Sequence, residues 1–315
     1  MSVDAGSFWW GGLGGFAVGA SSVAPPPPAR SETPARAMSA KAAVPSVLIT
    51  GAGGGIGRAL VARFTRAGWR VFASERTSDT LPLDVTDEAS VRAARAEVGV
   101  PDVVINNAGI GLLMPMAETP DEVLAKQLDV NVRGVVRVAR AFAQDMARRG
   151  HGRLIMVGSL AGTFTLPWFG SYSASKYAVE AVSDALRVEL APFGVHVSLV
   201  EPSVVGTGFV DTAVAALERA APGSLWQQSL EHTLARRHLF DAVQLTPEEV
   251  AEVVFQAATS SRPKARYRVG ALASFLLRVT ELLPARVTDA LLRSLVGLRA
   301  PRKRLPAPAN PEAPL

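Results

Sequence analysis

The sequence predicts an α/β protein, a doubly wound parallel sheet with helices on both faces, formed as a single domain over residues 45–270. Three observations carry this expectation. Apolar runs such as Val103-Val104-Ile105 and Leu154-Ile155-Met156-Val157 show no polar alternation, as strands covered on both faces require. Amphipathic helical patterns alternate with these runs, which implies βαβ units with right-handed crossovers. A glycine-rich turn, Gly51-Ala52-Gly53-Gly54-Gly55-Ile56-Gly57, lies between the first such run and the first helical pattern.

The first strand is expected at 46–50, where Val47-Leu48-Ile49-Thr50 is apolar and β-prone. Further strands are expected at 69–74, 80–83, 102–106, 152–158 and 195–200, and helices at 56–67, 87–97, 119–149 and 171–191. Thr86-Asp87-Glu88 and Thr119-Pro120-Asp121-Glu122 each place a capping residue ahead of acids in a first turn. Residues 203–246 break the rhythm and are expected to form a mobile helical excursion. Thr246-Pro247-Glu248-Glu249 then opens a helix to about Ser260, and Tyr267-Arg268-Val269 is a candidate edge strand. Residues 271–298 hold leucine-rich helical patterns with Arg278, Arg286 and Arg293 interspersed. Such a pattern permits ordinary packing or an amphipathic helix on a membrane surface, and packing is the favoured expectation.

Residues 1–44 and 299–315 are expected to be disordered tails. The uncharged stretch from Ala5 to Ala29 is diluted by Gly, Ser and Pro25–Pro28 and lacks the basic start of a secretory leader, so a disordered tail is favoured over a weak membrane anchor. Met38 leads into the first strand and is a candidate start of translation, which would remove residues 1–37. The absence of cysteine excludes disulfides, iron–sulfur clusters and thiolate zinc sites. His151, His196, His232 and His238 stand at no ligand spacing, so no metal is expected. The net charge of +5 comes with no block that joins stacking aromatics to a basic groove, so nucleic-acid binding is not expected either. A cytoplasmic location is expected.

Chemistry concentrates at two places. Strand, glycine turn and helix in succession are the context of a dinucleotide site, because glycines let the backbone approach a pyrophosphate and the helix N-terminus meets it with free N–H groups. Tyr172 and Lys176 stand four apart on an expected helix, hence on one face, with Ser159 upstream. A phenol titrates near ~10, and a neighbouring ammonium favours phenolate, so the pair suits proton transfer at an alcohol or carbonyl.

These motifs together resemble the short-chain dehydrogenase/reductase family over about residues 45–270. Thr50-Gly51-x-x-x-Gly55-Ile56-Gly57 is similar to its cofactor turn, and Asp84-Val85 to the acidic step near the adenine. Asn106-Asn107-Ala108-Gly109 resembles its fourth-strand motif, which shapes the cofactor cleft. Asn131, Ser159, Tyr172 and Lys176 fall at the family's catalytic four. Pro202-Ser203-Val204-Val205-Gly206-Thr207 resembles the segment holding the nicotinamide amide, although Ser203 stands where the family usually has glycine. The resemblance implies an NAD(P)-dependent oxidoreductase in which Tyr172 is the general acid–base. It implies further that Lys176 holds the nicotinamide ribose, Ser159 the substrate oxygen, and Asn131 a water of the proton relay.

The second expected strand ends at Glu75-Arg76. An acid at that tip accepts from ribose hydroxyls, whereas an arginine there binds a 2′-phosphate, so NAD and NADP both stay open with a lean to NAD. Residues 183–209 resemble the hydroxysteroid and retinol dehydrogenase branch. Phe164, Leu166, Trp168 and Phe169, with Phe209, Leu217, Leu225 and Trp226, suit an apolar alcohol or ketone, or else simply pack loops onto the core. Phe164, Trp168 and Phe209 are the chosen substrate contacts beside Ser159. By resemblance, a homodimer or homotetramer would pair through the helices at 119–149 and 171–191, with Val135, Val138, Val179 and Val182 as candidate interface positions. Two other readings remain. A silent dinucleotide-binding sensor or scaffold would be expected to lack Tyr172 or Lys176. An acyl-carrier-linked ketoreductase would need a basic entrance, for which Arg148, Arg149 and Arg153 are candidates.

Overall fold

The structure, a computed structural model, describes residues 44–77, 81–237, 244–271, 274–275, 279 and 282–299. Both predicted tails, the strand position at residue 80, His238 and Arg278 therefore lie wholly or mainly outside the described residues. Six strands, β1 (Ser46–Thr50), β2 (Arg70–Ser74), β3 (Val103–Asn106), β4 (Gly152–Val157), β5 (Val195–Pro202) and β6 (Arg266–Val269), form one sheet in the order β2-β1-β3-β4-β5-β6. All neighbouring pairs are parallel. The helices are α1 (Gly55–Arg66), α2 (Glu88–Val98), α3 (Asp121–Leu128), α4 (Val135–Arg149), α5 (Gly170–Leu190), α6 (Gly208–Ala220), α7 (Gln227–Ala235), α8 (Pro247–Thr259) and α9 (Ala285–Leu295).

Alternation along each strand divides the core into two layers. Leu48, Val104, Leu154 and Met156 face α2, α4 and α5, meeting Val91, Phe142 and Val179. Val47, Ile49, Val103, Ile105 and Ile155 face the other way onto Leu60 and Phe64 of α1 and Val250 and Val254 of α8. Val135, Val138 and Val179, candidates for a subunit interface, belong instead to the first of these layers and are buried. Val182 is half-buried.

Two predicted elements take another form. Residues 81–83 make no strand: Pro82 forms an isolated parallel bridge to Glu75, in which Leu83 N–H donates to Glu75 O at 3.0 Å and Glu75 N–H to Leu81 O at 3.4 Å. The predicted helix at 119–149 is interrupted between α3 and α4 by a π-helical turn, Asp129–Gly134. Asn131 lies in that turn and is drawn out to a neighbouring loop, its Oδ1 accepting from Ile110 N–H at 2.8 Å and its Nδ2 donating to Ile110 O at 2.9 Å. The 203–246 excursion contains α6 and α7 among its described residues.

After β1 the chain passes to β2 on one side and then returns to β3 on the other, so a crevice opens at the carboxyl ends of β1 and β3. Thr50 and Asn107 stitch its base. Thr50 Oγ1 accepts from the N–H groups of Asn107 and Ala108, both at 3.1 Å, and donates to Ile105 O at 3.3 Å. Asn107 Nδ2 donates to Thr50 O and Gly51 O, both at 3.0 Å.

A buried acidic pair joins α5 to β5. Glu201 is fully buried, and neither its two carboxylate oxygens nor Glu180 Oε1 has a hydrogen-bond partner among the described residues. Arg266 donates to Glu180 at 3.1 Å and to Asp184 at 2.6 Å, and Arg268 approaches Glu201 at 3.7 Å. Burial, then the Glu201 charge, push the Glu180 carboxyl up to about 7 despite Arg266. A proton held by Glu180 is the donor that the orphaned oxygens lack.

Two outcomes follow. Thr50→Val strands the Ala108 N–H at the crevice and leaves Asn107 N–H with Ile105 O alone, and is expected to cost about 2 kcal/mol, read as a lower urea midpoint at unchanged slope. Between the ordinary carboxyl range and pH 7 the folded chain keeps a proton on Glu180 that the unfolded chain releases. Stability therefore falls as pH rises through that window. The melting temperature should drop by a few degrees between pH 5 and 8, and Glu180→Gln should flatten that slope.

Candidate functional site

The crevice widens into an open cleft of about 2520 Å³. On one side it is lined by the glycine turn, Glu75, Arg76, Asp84, Val85 and Asn107–Gly109, and on the other by Ser159, Tyr172, Lys176 and Pro202–Phe209. The N-terminus of α1 has no side-chain cap and no acid in its first turn. The starts of α2, α6 and α8, by contrast, are each capped by Asp87, Thr207 and Thr246. Uncapped N–H groups and the positive end of the helix dipole thus meet the cleft. Gly51 adopts φ +65°, and a Cβ there would lie 2.9 Å from Ala108 Cα. A Cβ at Gly55 would lie 2.7 Å from Thr207 Cβ. Only bare backbone fits this floor, and such a floor suits a pyrophosphate.

At the tip of β2, Glu75 Oε2 accepts from Gly53 N–H at 2.8 Å. Arg76 lines the cleft beside it, as does Arg58, whose guanidinium donates to Gly53 O. Asp84 accepts from Thr86 N–H at 2.8 Å and Thr86 Oγ1 at 2.7 Å. Burial would raise its carboxyl, but these bonds and the charges of Arg76 and Arg137 outweigh it and hold the group below the usual carboxylate range.

The titrating groups meet where β4 ends and α5 begins. Ser159 is extended, and its Oγ accepts from Ala161 N–H at 3.1 Å, which caps a short turn over Leu160–Gly162. Tyr172 lies in the first turn of α5, its ring 5.4 Å from that of Phe209 and 6.5 Å from that of Phe169. Lys176 follows one turn later; its Nζ donates to Val157 O at 3.0 Å and stands 5.7 Å from the Tyr172 ring centre. Burial pushes the phenol up to about 12, offset only in part by the Ser159 hydroxyl. Burial also brings the ammonium down, to about 8. Burial is thus the larger influence on the phenol in the cleft as it stands.

Asn131 does not line the cleft. It is buried below Gly109 and Ile110, with its Nδ2 also donating to Ser175 Oγ at 3.0 Å, and Ser175 donates in turn to Tyr172 O at 2.6 Å. Ser175, Thr50 and Arg58 are structural participants that the motif reading passed over, although each sits inside or beside a quoted motif. The apolar side of the cleft holds Phe164, Leu166, Phe169, Phe209 and Leu217. Trp168 is not part of that lining. Its φ of +73° turns the indole back, so that it packs against Trp226 at 6.3 Å and donates to Thr233 Oγ1 at 3.3 Å. Tyr172 belongs with Trp168, Leu217, Leu230 and Val296 to a third apolar cluster, separate from the two layers on the sheet.

Ser203 is accommodated where glycine was expected. Its buried hydroxyl rests on Gly270, where a Cβ would come within 2.5 Å of it. Arg149 donates to the carbonyls of Val100 and Pro101, Arg153 to that of Ala257, and Arg148 pairs with Asp145. Arg149 and Arg153 flank the start of β4, at the amino ends of the strands and away from the cleft, so they form no basic entrance to it.

The short chain dehydrogenase family matches residues 45–218. Human 17-beta-hydroxysteroid dehydrogenase type 1 is 36% identical over 249 residues, covering 70% of this chain and 76% of that protein. The 3-ketodihydrosphingosine reductase of Bacteroides thetaiotaomicron is 29% identical over 265 residues, covering 80% of this chain and 98% of that protein. The crystal structure of a short-chain dehydrogenase from Streptomyces avermitilis superposes with a TM-score of 0.66 at 26% identity, covering 80% of this chain and 96% of that one. Solved structures similar to this one bind NAD or NADP. Sheet order, glycine turn, cleft and sequence matches converge on one assignment: the chain belongs to the short-chain dehydrogenase family, near its hydroxysteroid dehydrogenase branch, and is a nicotinamide-dependent oxidoreductase of CH–OH groups.

Proposed function

We propose that the protein interconverts an apolar secondary alcohol and its ketone, steroid-, retinoid- or lipid-like, with Tyr172 as general acid–base. The observation that carries this reading is the Tyr172 phenol held between Phe169 and Phe209 in an apolar cluster at the wall of the cleft. An apolar carbonyl compound gains by entering such a wall, and its polar oxygen then meets the Tyr172 and Ser159 hydroxyls there. The names of the human and Bacteroides relatives, for a hydroxysteroid and a ketosphingoid base, point to the same class.

The cleft's own residues divide the work. The bare N-terminus of α1 with Gly51, Gly55, Ile56 and Gly57 would hold the pyrophosphate, Glu75 and Arg76 the ribose next to the adenine, and Asp84 and Val85 the adenine. Asn107, Ala108 and Gly109 would shape the middle of the cleft, and Pro202, Val205 and Thr207 the nicotinamide end. The bound reduced coenzyme supplies hydride, so no metal is called for. With its proton held up to about 12, Tyr172 stands as an acid at neutral pH, ready to protonate the oxygen of a ketone as it becomes an alcohol. Ser159 would hold that oxygen and steady its developing charge. Lys176, fixed on Val157 O, would reach the nicotinamide ribose. Asn131 would position the Ile110 loop and, through Ser175, the first turn of α5. Glu75 favours NAD, since its carboxylate would repel a 2′-phosphate. A homodimer or homotetramer would pair through the outward faces of α4 and α5, where Val136, Tyr177 and Val188 are exposed.

Tyr172→Phe is expected to lower kcat by at least about a thousandfold while dinucleotide affinity stays within a few-fold. Absorbance at 340 nm with steroid, retinoid, long-chain ketone and β-ketoacyl thioester substrates reads the first, and fluorescence titration the second. Retained turnover would remove Tyr172 from the chemistry. Glu75→Ala leaves Arg58 and Arg76 unopposed, and should raise kcat/KM for NADPH relative to NADH by about tenfold or more. A wild-type enzyme already selective for NADPH would overturn the lean to NAD.

A further inference from the structure

The C-terminal helix does not pack as its leucines suggested. No residue of α9 is buried, and Val287, Leu291 and Leu295, one turn apart on a single face, are 44%, 54% and 45% exposed. Phe275, Val279 and Leu282 just upstream are exposed as well, Leu282 at 86%. Six of the thirteen large apolar side chains exposed among the described residues therefore fall within one stretch of the chain. A monomer rarely leaves so compact an apolar set facing water. Among the described residues the helix is anchored at its end, where Ser229 of α7 donates to Val296 O and Val296 is buried in the third apolar cluster.

Charge follows the same stretch. Residues 285–304 carry Arg286, Arg293, Arg299, Arg302, Lys303 and Arg304 against a single acid, Asp289. That surplus equals the net charge of the entire chain, +5, so the remaining residues balance to zero. An apolar helix face and a polybasic run are the two signals that together give stable attachment to an anionic membrane surface. At eleven residues α9 is about half of what a span requires, and no described helix is long and apolar enough to cross a membrane. A second copy of the chain is a poorer occupant, because a self-complementary contact on this face would set the same arginines against each other.

The position of the helix gives the surface a use. Leu291, Leu292 and Leu295 also line the cleft, so one edge of α9 borders the opening while its outer face looks into solvent. We propose that α9 and the basic run after it dock the protein on an anionic lipid bilayer, with Leu282, Val287, Leu291 and Leu295 in the headgroup–acyl boundary and the cleft mouth against the lipid. An apolar alcohol or ketone dissolved in the bilayer then reaches Tyr172 without crossing water. This last step rests on the reading of the substrate given above; the docking itself does not.

Flotation of the full-length protein with vesicles of phosphatidylcholine alone, or mixed with phosphatidylglycerol, tests the docking without any substrate. The wild type should float with the mixed vesicles and stay behind with the neutral ones. The triple variant Arg302→Gln, Lys303→Gln, Arg304→Gln should lose about a hundredfold in vesicle affinity, from ~1 kcal/mol per cation. Leu282→Glu with Val287→Glu, two positions outside the cleft lining, should abolish flotation while turnover of a short water-soluble ketone stays within two-fold. Wild-type protein that ignores phosphatidylglycerol overturns the proposal. So does a concentration-dependent dimer that the same double variant dissolves in the absence of lipid. If flotation holds while the substrate panel finds no apolar alcohol or ketone turned over, the substrate reading fails and the docking stands.

Discussion

The fold depends on keeping one crevice open. Where β1 and β3 part, backbone groups that would pair within a continuous sheet have no strand opposite them, and such groups are costly to leave bare. Thr50 and Asn107 answer most of that demand from within, in five hydrogen bonds that bind the end of β3 to the end of β1 and the first glycine. The crevice is consequently rigid before anything enters it. Its remaining uncapped donors, at the start of α1, are the ones directed at the cleft. Satisfaction at the base and deficit at the rim create an anion site at one end of the cleft, opposite the apolar side formed by Phe164, Phe169 and Phe209.

The far wall works by the opposite economy. Tyr172 and Lys176 are both buried, and burial moves their titrations apart, the phenol up and the ammonium down. Neither group is held in its charged form by a salt bridge: the lysine is tied to a carbonyl oxygen and the phenol to the Ser159 hydroxyl. A site poised in this way responds strongly to a charge brought into it, since little water is present to screen the newcomer.

Much of this was legible in the residues. The strands at 46–50 and 152–157, the glycine turn and the adjacency of Tyr172 to Lys176 followed from periodicity and spacing, because each is a local property. What escaped were properties decided elsewhere in the molecule. Leu81 and Leu83 suggest a strand, yet among the described residues their segment joins the sheet by a single bridge to Glu75. The π-helical turn at Asp129–Gly134 is tied through Asn131 to Ile110, a residue some twenty positions away. Trp168 faces away from the cleft because of a backbone angle that no pattern of apolar residues encodes. Val135 and Val138 read equally as core or interface until the layer they pack against is known.

The left-handed backbone at Trp168 ties together parts of the protein that are distant in sequence. A bulky residue in that region carries strain of order 1–3 kcal/mol and persists only where its surroundings insist on it. Here the insistence comes from Thr233 and Trp226, at the two ends of α7. The loop beside the Tyr172 phenol is thus a loaded spring whose latch is a helix contributed about sixty residues later. Whatever lifts that helix would let the loop relax, and the apolar wall of the cleft would slacken with it.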